Sequence, residues 1–253
     1  MSNKEEIRLL IGIDDTDNAE SRGTGFNARQ LAHILEKEGL GRISGITRHQ
    51  LFVHPDIPYT SKNSSACINI QTGAPDEVKN QCRAFLLRCS APGSDSGLCI
   101  IRPEEVSPEI LEWGQQAKQS VLKMADTIRL AKKSNLYLEG FTGNQEGIIG
   151  ALAAVSLHAG GNDGRYIWRK GIRELREMQT GIFTSEELTK ELMLDEISSL
   201  DGVHPKSSDR IAVNEWIRPI LKNNKAVLIT ERTENEHEYE WKLTGKEVIR
   251  NIS

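Results

Sequence analysis

The stretch Leu10-Ile11-Gly12-Ile13-Asp14-Asp15-Thr16-Asp17-Asn18 is an apolar run that ends in three closely spaced carboxylates. The run from Ile7 to Ile13 predicts a buried strand, which puts the acids on the loop at its carboxyl end. In open α/β sheets that edge is where ligands bind. Carboxylates crowded there repel one another unless a cation or donors from the chain neutralise them. A hard divalent ion such as Mg²⁺, held by one or two of Asp14, Asp15 and Asp17 and by substrate phosphates, is one resolution. The other is a turn whose Asp and Asn side chains cap the next helix.

Working outward, Gly23-Thr24-Gly25 opens a helical pattern in which Phe26, Leu31, Ile34 and Leu35 recur at helical spacing. Glycines before a helix let backbone N–H groups approach an anion, and the helix dipole favours negative charge there. Strand, acidic loop, glycine turn and helix start together make a corner suited to a phosphate and a metal. The sequence is neither a Walker A loop nor a six-position dinucleotide fingerprint, and a simple turn is the plainer reading of Gly-Thr-Gly alone.

The chain has 253 residues, 38% hydrophobic and 27% charged, with a net charge of −4. That composition fits a globular protein with a sizeable core. No dense Lys/Arg cluster marks a general nucleic-acid binder, though a local basic patch can still contact RNA. Cys67, Cys82, Cys89 and Cys99 form no CxxC pair, which argues against zinc and for reduced thiols in a cytosolic protein. No apolar run approaches the roughly 18 residues a membrane helix needs.

Further along, Gly41 to Val53 predicts a long strand, His54 to Lys62 a loop, and Ser65 to Ile70 a strand with Ala66, Ile68 and Ile70 on one face. Asp76 to Arg88 predicts an amphipathic helix with Val78, Cys82, Phe85 and Leu86 inward. Leu98 to Ile101 predicts a short strand. Pro108 to Lys133 reads as helical in two pieces, with Ile110, Leu111, Val121, Leu122, Met124 and Ile128 inward. Gly143 to Val155 passes from polar residues and glycines into a small-residue helix. The amino end of that helix, at Gly147 and Gly150, can receive a phosphate or carboxylate, or simply pack tightly. From about Gly160 the composition shifts. Arg165 to Met178 balances its charges and reads as a solvated face. Thr184 and Glu187 form a capping box, and Ala226 to Glu231 with Glu238 to Leu243 resemble a hairpin.

The loop Pro58-Tyr59-Thr60-Ser61-Lys62-Asn63-Ser64-Ser65 collects hydroxyls, an amide and an ammonium. Lys62 supplies charge and Asn63, Ser64 and Ser65 supply donors for a phosphate tail, against the plainer reading of an exposed polar loop. His49 and His54 are candidates for proton transfer, although a lone histidine is more often structural.

Three ordered stretches resemble a known family. Ile11-Gly12-Ile13-Asp14-Asp15-Thr16-Asp17 followed by Arg22-Gly23 is similar to the amino-terminal signature of the archaeal isoleucine-tRNA 2-agmatinylcytidine synthetases. Ile57-Pro58-Tyr59 with Lys62-Asn63-Ser64-Ser65-Ala66 resembles that family's Pro-Tyr loop. Gly147-Ile148-Ile149-Gly150-Ala151-Leu152-Ala153-Ala154 resembles its Gly-Ile-Gly-Ala-Leu-Ala-Ala stretch. The resemblance implies a mixed α+β, kinase-like domain over residues 1–160 that binds ATP and Mg²⁺, with a small α+β region over 161–253. In that family ATP and Mg²⁺ phosphorylate the wobble cytidine of a tRNA, and agmatine displaces the phosphate. Two departures stand out. Where the family has a Cys-Thr-Thr-type segment with a phosphorylated threonine, this chain reads Thr24-Gly25-Phe26-Asn27 in a longer loop. The family's OB-type domain and zinc ribbon have no counterpart, so the chain reads as a shortened relative.

The expectation is a cytosolic ATP- and Mg²⁺-dependent phosphoryl-transfer enzyme acting on a tRNA wobble cytidine or a small acceptor such as an amine. Asp14, Asp15 and Asp17 would hold the metal or orient the acceptor, and Lys62 would offset charge on the transferred group. Gly23, Thr24, Gly25, Asn63, Ser64, Ser65, Gly147 and Gly150 would line the nucleotide. The rivals are a nucleotide- or RNA-binding regulator without catalysis and a metal-dependent phosphoester hydrolase.

Overall fold

The computed structural model describes residues 5–57, 62–169, 179–214, 216–234 and 238–253. The chain divides into two compact units, residues 1–160 and 161–253. Pro58 to Ser61, most of the Arg/Lys-rich stretch after Arg169 and part of the predicted carboxyl-terminal hairpin turn lie outside the described residues.

In the first unit, strands β1 (Ile7–Asp14), β2 (Arg42–Gln50), β3 (Ser64–Thr72), β4 (Gly97–Ile101) and β5 (Tyr137–Gly140) lie in the order β5-β4-β1-β3-β2. Neighbouring strands in this order run antiparallel. The carboxyl end of β1 is therefore not the ligand edge of a parallel sheet, which is the geometry first read from the apolar run. β1 is central, and Leu9, Leu10, Ile11 and Ile13 are buried. The strand is apolar on both faces because both are covered.

One face of the sheet carries α5 (Ile148–Ala159), which is buried nearly all round. A helix apolar on every side belongs inside a core. Its approach is set by glycines: a Cβ on Gly12 would collide with the Ala151 carbonyl, and one on Gly97 with the Gly147 backbone. On its outer side α5 packs against α3 (Pro108–Ala117), where a Cβ on Gly114 would lie 2.8 Å from Ser156 Cβ. Helix α1 (Thr24–Lys37) packs on β2 and β3 and against α2 (Pro75–Cys89). In α2, Val78, Cys82, Phe85 and Leu86 are buried as the 3.6-residue spacing predicts. Helix α4 (Met124–Lys133) completes the unit. Leu111 and Val121 do not point inward as expected; both are exposed, and Trp113, Gly114 and Ala117 take the buried positions of α3.

The second unit holds β6 (Arg165–Arg169), β7 (Gly181–Thr184), α6 (Ser185–Glu191), β8 (Glu196–Ser198), β9 (Arg210–Val213), β10 (Ile220–Lys222), β11 (Lys225–Arg232), β12 (Trp241–Leu243) and α7 (Lys246–Asn251). β11 and β12 pair antiparallel as the hairpin pattern predicts. Thr184 caps α6, its hydroxyl accepting from the Glu187 N–H at 3.2 Å while Glu187 reaches back. The solvated face expected from Arg165 onward is corrected for its first residues: Arg165, Tyr166, Ile167 and Trp168 are buried in β6. Leu188, Leu192, Ile211, Leu228 and Trp241 form this unit's core. Among the described residues no helix is long and apolar enough to cross a membrane.

Candidate functional site

Antiparallel pairing ends β1 at Asp14, and the chain must then turn sharply into α1. Asp15 makes the turn with φ 49°, in the left-handed region that few non-glycine residues occupy. Asp17 closes it. Its Oδ1 accepts the Thr24 N–H at 2.9 Å and the Thr24 hydroxyl at 2.7 Å. This satisfies an N–H that the start of α1 would otherwise leave unpaired. The capping reading of the acidic loop therefore holds for Asp17. Asn18 fastens the far side, donating from Nδ2 to the Pro92 carbonyl at 3.0 Å, and the Ala91 N–H donates to the Thr16 carbonyl at 3.0 Å.

The loop opens onto a cavity of about 370 Å³ within the first unit. Asp14, Asp15, Asp17 and Thr24 line one side, Lys62, Asn63 and Ser64 another, and Gly147 and Gly150 a third. Residues separated widely in sequence thus meet at one place. Gly23, Gly25 and Ser65 are not among the lining residues; Ser65 is buried in β3, and its hydroxyl has no hydrogen-bond partner among the described residues. Sequence reasoning missed Glu146 and Lys123, which also line the cavity, and Leu51, Leu122, Met124 and Ile149, which give it an apolar wall. It also missed Asp95, whose charge acts on Asp15.

The electrostatics follow from this crowding. Burial, reinforced by the charges of Asp15 and Asp17, pushes the Asp14 carboxyl up to about 8, and Arg48 offsets this only in part. Burial and the charges of Asp95 and Asp17 push Asp15 up to about 6. The site holds its negative charge with difficulty and favours a proton or a cation. Among the described residues no three His, Cys, Asp or Glu side chains are gathered to hold a metal ion by themselves. Any cation here would need further oxygen ligands from water or a bound substrate.

The glycines at the start of α5 are positions of close approach. A Cβ on Gly150 would collide with the Asp14 carboxylate, and one on Gly147 with the Asp95 carbonyl oxygen. The Gly147, Ile148 and Ile149 N–H groups donate to the carbonyls of Asp95, Gln145 and Glu146 at 2.8, 3.3 and 3.0 Å. Those three donors are engaged by the chain's own carbonyls, and Gly147 packs closely against Asp95. Asn63 is similarly engaged: its Nδ2 donates to the Phe52 carbonyl at 2.5 Å, and its own carbonyl accepts from Gln50 and Leu51 at 2.6 and 2.9 Å. These bonds fix the segment that presents Lys62 and Ser64. Of the two histidines, His49 is fully buried away from the cavity lining, and His54 is half-buried and stacked on Phe52.

No family profile matches the chain. Curated relatives do. An isoleucine-tRNA 2-agmatinylcytidine synthetase, TiaS, of Methanosarcina mazei is 26% identical over 155 residues, which cover 58% of this chain and 35% of that one. The chain resembles the TiaS enzymes. An uncharacterized protein of Methanocaldococcus jannaschii is 28% identical over 155 residues, or 59% of this chain and 50% of its own length. The chain therefore spans between about a third and a half of the curated relatives it matches. The fold is that of solved TiaS structures. A complex of TiaS with its isoleucine tRNA and ATP superposes with a TM-score of 0.53 at 23% identity, covering 59% of this chain and 36% of that one. A complex of TiaS with the same tRNA, AMPCPP and agmatine gives 0.53 at 19% identity over 80% of this chain and 52% of the other.

Proposed function

We propose that the chain is an ATP- and Mg²⁺-dependent phosphoryl-transfer enzyme related to TiaS, with the cavity of the first unit as its site. The observation that carries the reading is the meeting of Asp14, Asp15 and Asp17 with Lys62 and Ser64 around one space of about 370 Å³. That size lies at the lower end of small-ligand sites. Hard oxygen ligands, too few for a complete cage, fit a Mg²⁺ ion that a nucleotide brings with it. Asp14 and Asp15 would hold that ion, and the charge it supplies would stabilise the transferring phosphoryl group. Asp17, engaged with Thr24, would fix the loop. Lys62 and Lys123 would face the phosphates, and Leu122, Met124 and Ile149 would provide an apolar surface for the base. The acceptor is proposed from the relatives, whose complexes contain an isoleucine tRNA and agmatine: a tRNA cytidine or a small amine-bearing molecule.

The test is nucleotide turnover by the purified chain with Mg²⁺, with tRNA or an amine supplied. Release of ADP or AMP that depends on the acceptor and is lost in Asp15→Asn is expected. Hydrolysis of a simple phosphoester with no ATP consumption would instead identify a hydrolase, and nucleotide binding without turnover a regulator.

A further inference from the structure

We propose that Arg8, Asn69, His158, Thr47 and His49 form a one-way chain of hydrogen bonds that keeps His158 neutral and latches the carboxyl half of α5 to the sheet, releasing it in acid. The five residues come from β1, β3, α5 and β2. Thr47 and His49 are fully buried, and His158 and Asn69 nearly so.

The direction of the chain follows from counting protons. Thr47 Oγ1 lies 2.8 Å from His49 Nε2 and 2.8 Å from His158 Nδ1. A hydroxyl has one proton, so it donates to one ring and accepts from the other. The far end decides which. Arg8 Nε donates to Asn69 Oδ1 at 3.0 Å, which turns the amide nitrogen of Asn69 toward His158 Nε2 at 3.4 Å. An amide NH₂ group only donates, so His158 Nε2 is the acceptor and carries no proton. Neutral His158 then has its proton on Nδ1 and gives it to Thr47. Thr47 in turn donates to His49 Nε2.

The surroundings favour this neutral arrangement. Arg8 faces His158 from β1, Thr47 and His49 from β2, and Asn69 from β3; α3 presents Gly114 and Trp113 to α5. None of these is negatively charged. Burial first, then the charge that a proton on nearby His49 would add and the charge of Arg8, hold His158 well below the usual imidazole range. A proton forced onto Nε2 would set N–H against N–H at Asn69 and add charge facing Arg8. The unfolded chain takes up that proton below about 6.5 while the folded chain resists it, so folding free energy is lost as pH falls through that value. The other end of α5 borders the Asp14 cavity, so the latch bears on the site without touching it.

Long-range ¹H–¹⁵N correlation spectra of the full chain near neutral pH test the assignment without any substitution. The expected pattern is His158 protonated on Nδ1 and bare on Nε2, with His49 bare on Nε2. A proton on His158 Nε2, or a charged ring, would overturn the proposal. Native-state hydrogen exchange tests the latch. As pH falls from about 7 to 5, the amides of residues 155–159 should open before those of 150–153; opening together would refute it. Asn69→Asp supplies an acceptor for a protonated Nε2 and should move the acid unfolding midpoint down by about one pH unit. An unmoved midpoint in a folded variant would also refute the latch.

Discussion

Asp14 is held in the wrong place for a carboxylate. Its folded-state value of about 8 lies above the ordinary 3.8. The folded chain therefore keeps a proton that the unfolded chain has released, and stability falls as pH rises from about 4 to about 8. Melting curves of the ligand-free protein should show this decline, and Asp14→Asn should flatten it. A variant that declines as steeply as the parent would show that the carboxyl is not strained. The two glycines beside it should behave differently. Gly147→Ala puts a methyl group against backbone atoms of Asp95 and Gly97, and should cost about 1–3 kcal/mol in chemical denaturation through overpacking. Gly150→Ala meets first the Asp14 side chain rather than backbone, so it should spare more of the stability while weakening Mg-ATP affinity about tenfold or more. Equal stability losses with affinity unchanged in both would remove Asp14 from the site. At this scale the sequence displayed Asp14, Asp15, Asp17 and Lys62, because each sits in a short run of unusual composition. Asp95, Lys123 and Glu146 stand among ordinary loop residues, and only the folded chain brings them near the others.

Among the elements, α1 depends on a residue outside it. Asp17 accepts from both the backbone and the hydroxyl of Thr24. Asp17→Ala should therefore lower stability by about 0.5–2 kcal/mol, the usual range for a lost cap, in urea unfolding. Asp17→Asn should recover much of that loss. If both variants unfold like the parent, the contact does not support the helix. The helices were legible because α1, α2, α3 and the capping box of α6 follow a period that burial enforces. Leu111 broke the pattern because α3 buries Ile110, Trp113, Gly114 and Ala117 and leaves Leu111 on its outer face, and Val121 lies beyond the end of that helix. The strands of the second unit were mostly illegible. β8, β9 and β10 have three, four and three residues, too few for an alternation to declare itself, and what fixes them is pairing with β11, β12 and β6.

For the molecule as a whole, ligand binding should be visible as stability. A nucleotide present at about a hundred times its dissociation constant adds about 2.7 kcal/mol. On the proposed function, in which the carboxylates would complete a metal's coordination through a bound phosphate, thermal melting should rise with ATP and Mg²⁺ together and much less with either alone. A shift with ATP that chelation leaves unchanged would count against the metal. The fold class was legible from the family-like stretches and the helical periods. The antiparallel order of the first sheet was not, because an apolar strand covered on both faces looks the same in either sheet type. That order has a consequence for how the protein is made. β1 is made before both of its sheet neighbours, residues 64–72 and 97–101. The helix that covers it spans Ile148–Ala159. Long-range pairings form slowly because the intervening chain must first be drawn in. The acid-bearing strand must therefore wait, apolar and incompletely covered, until Ile148–Ala159 has been synthesised, which makes Ile7 to Ile13 a segment on which a nascent-chain chaperone would have time to act.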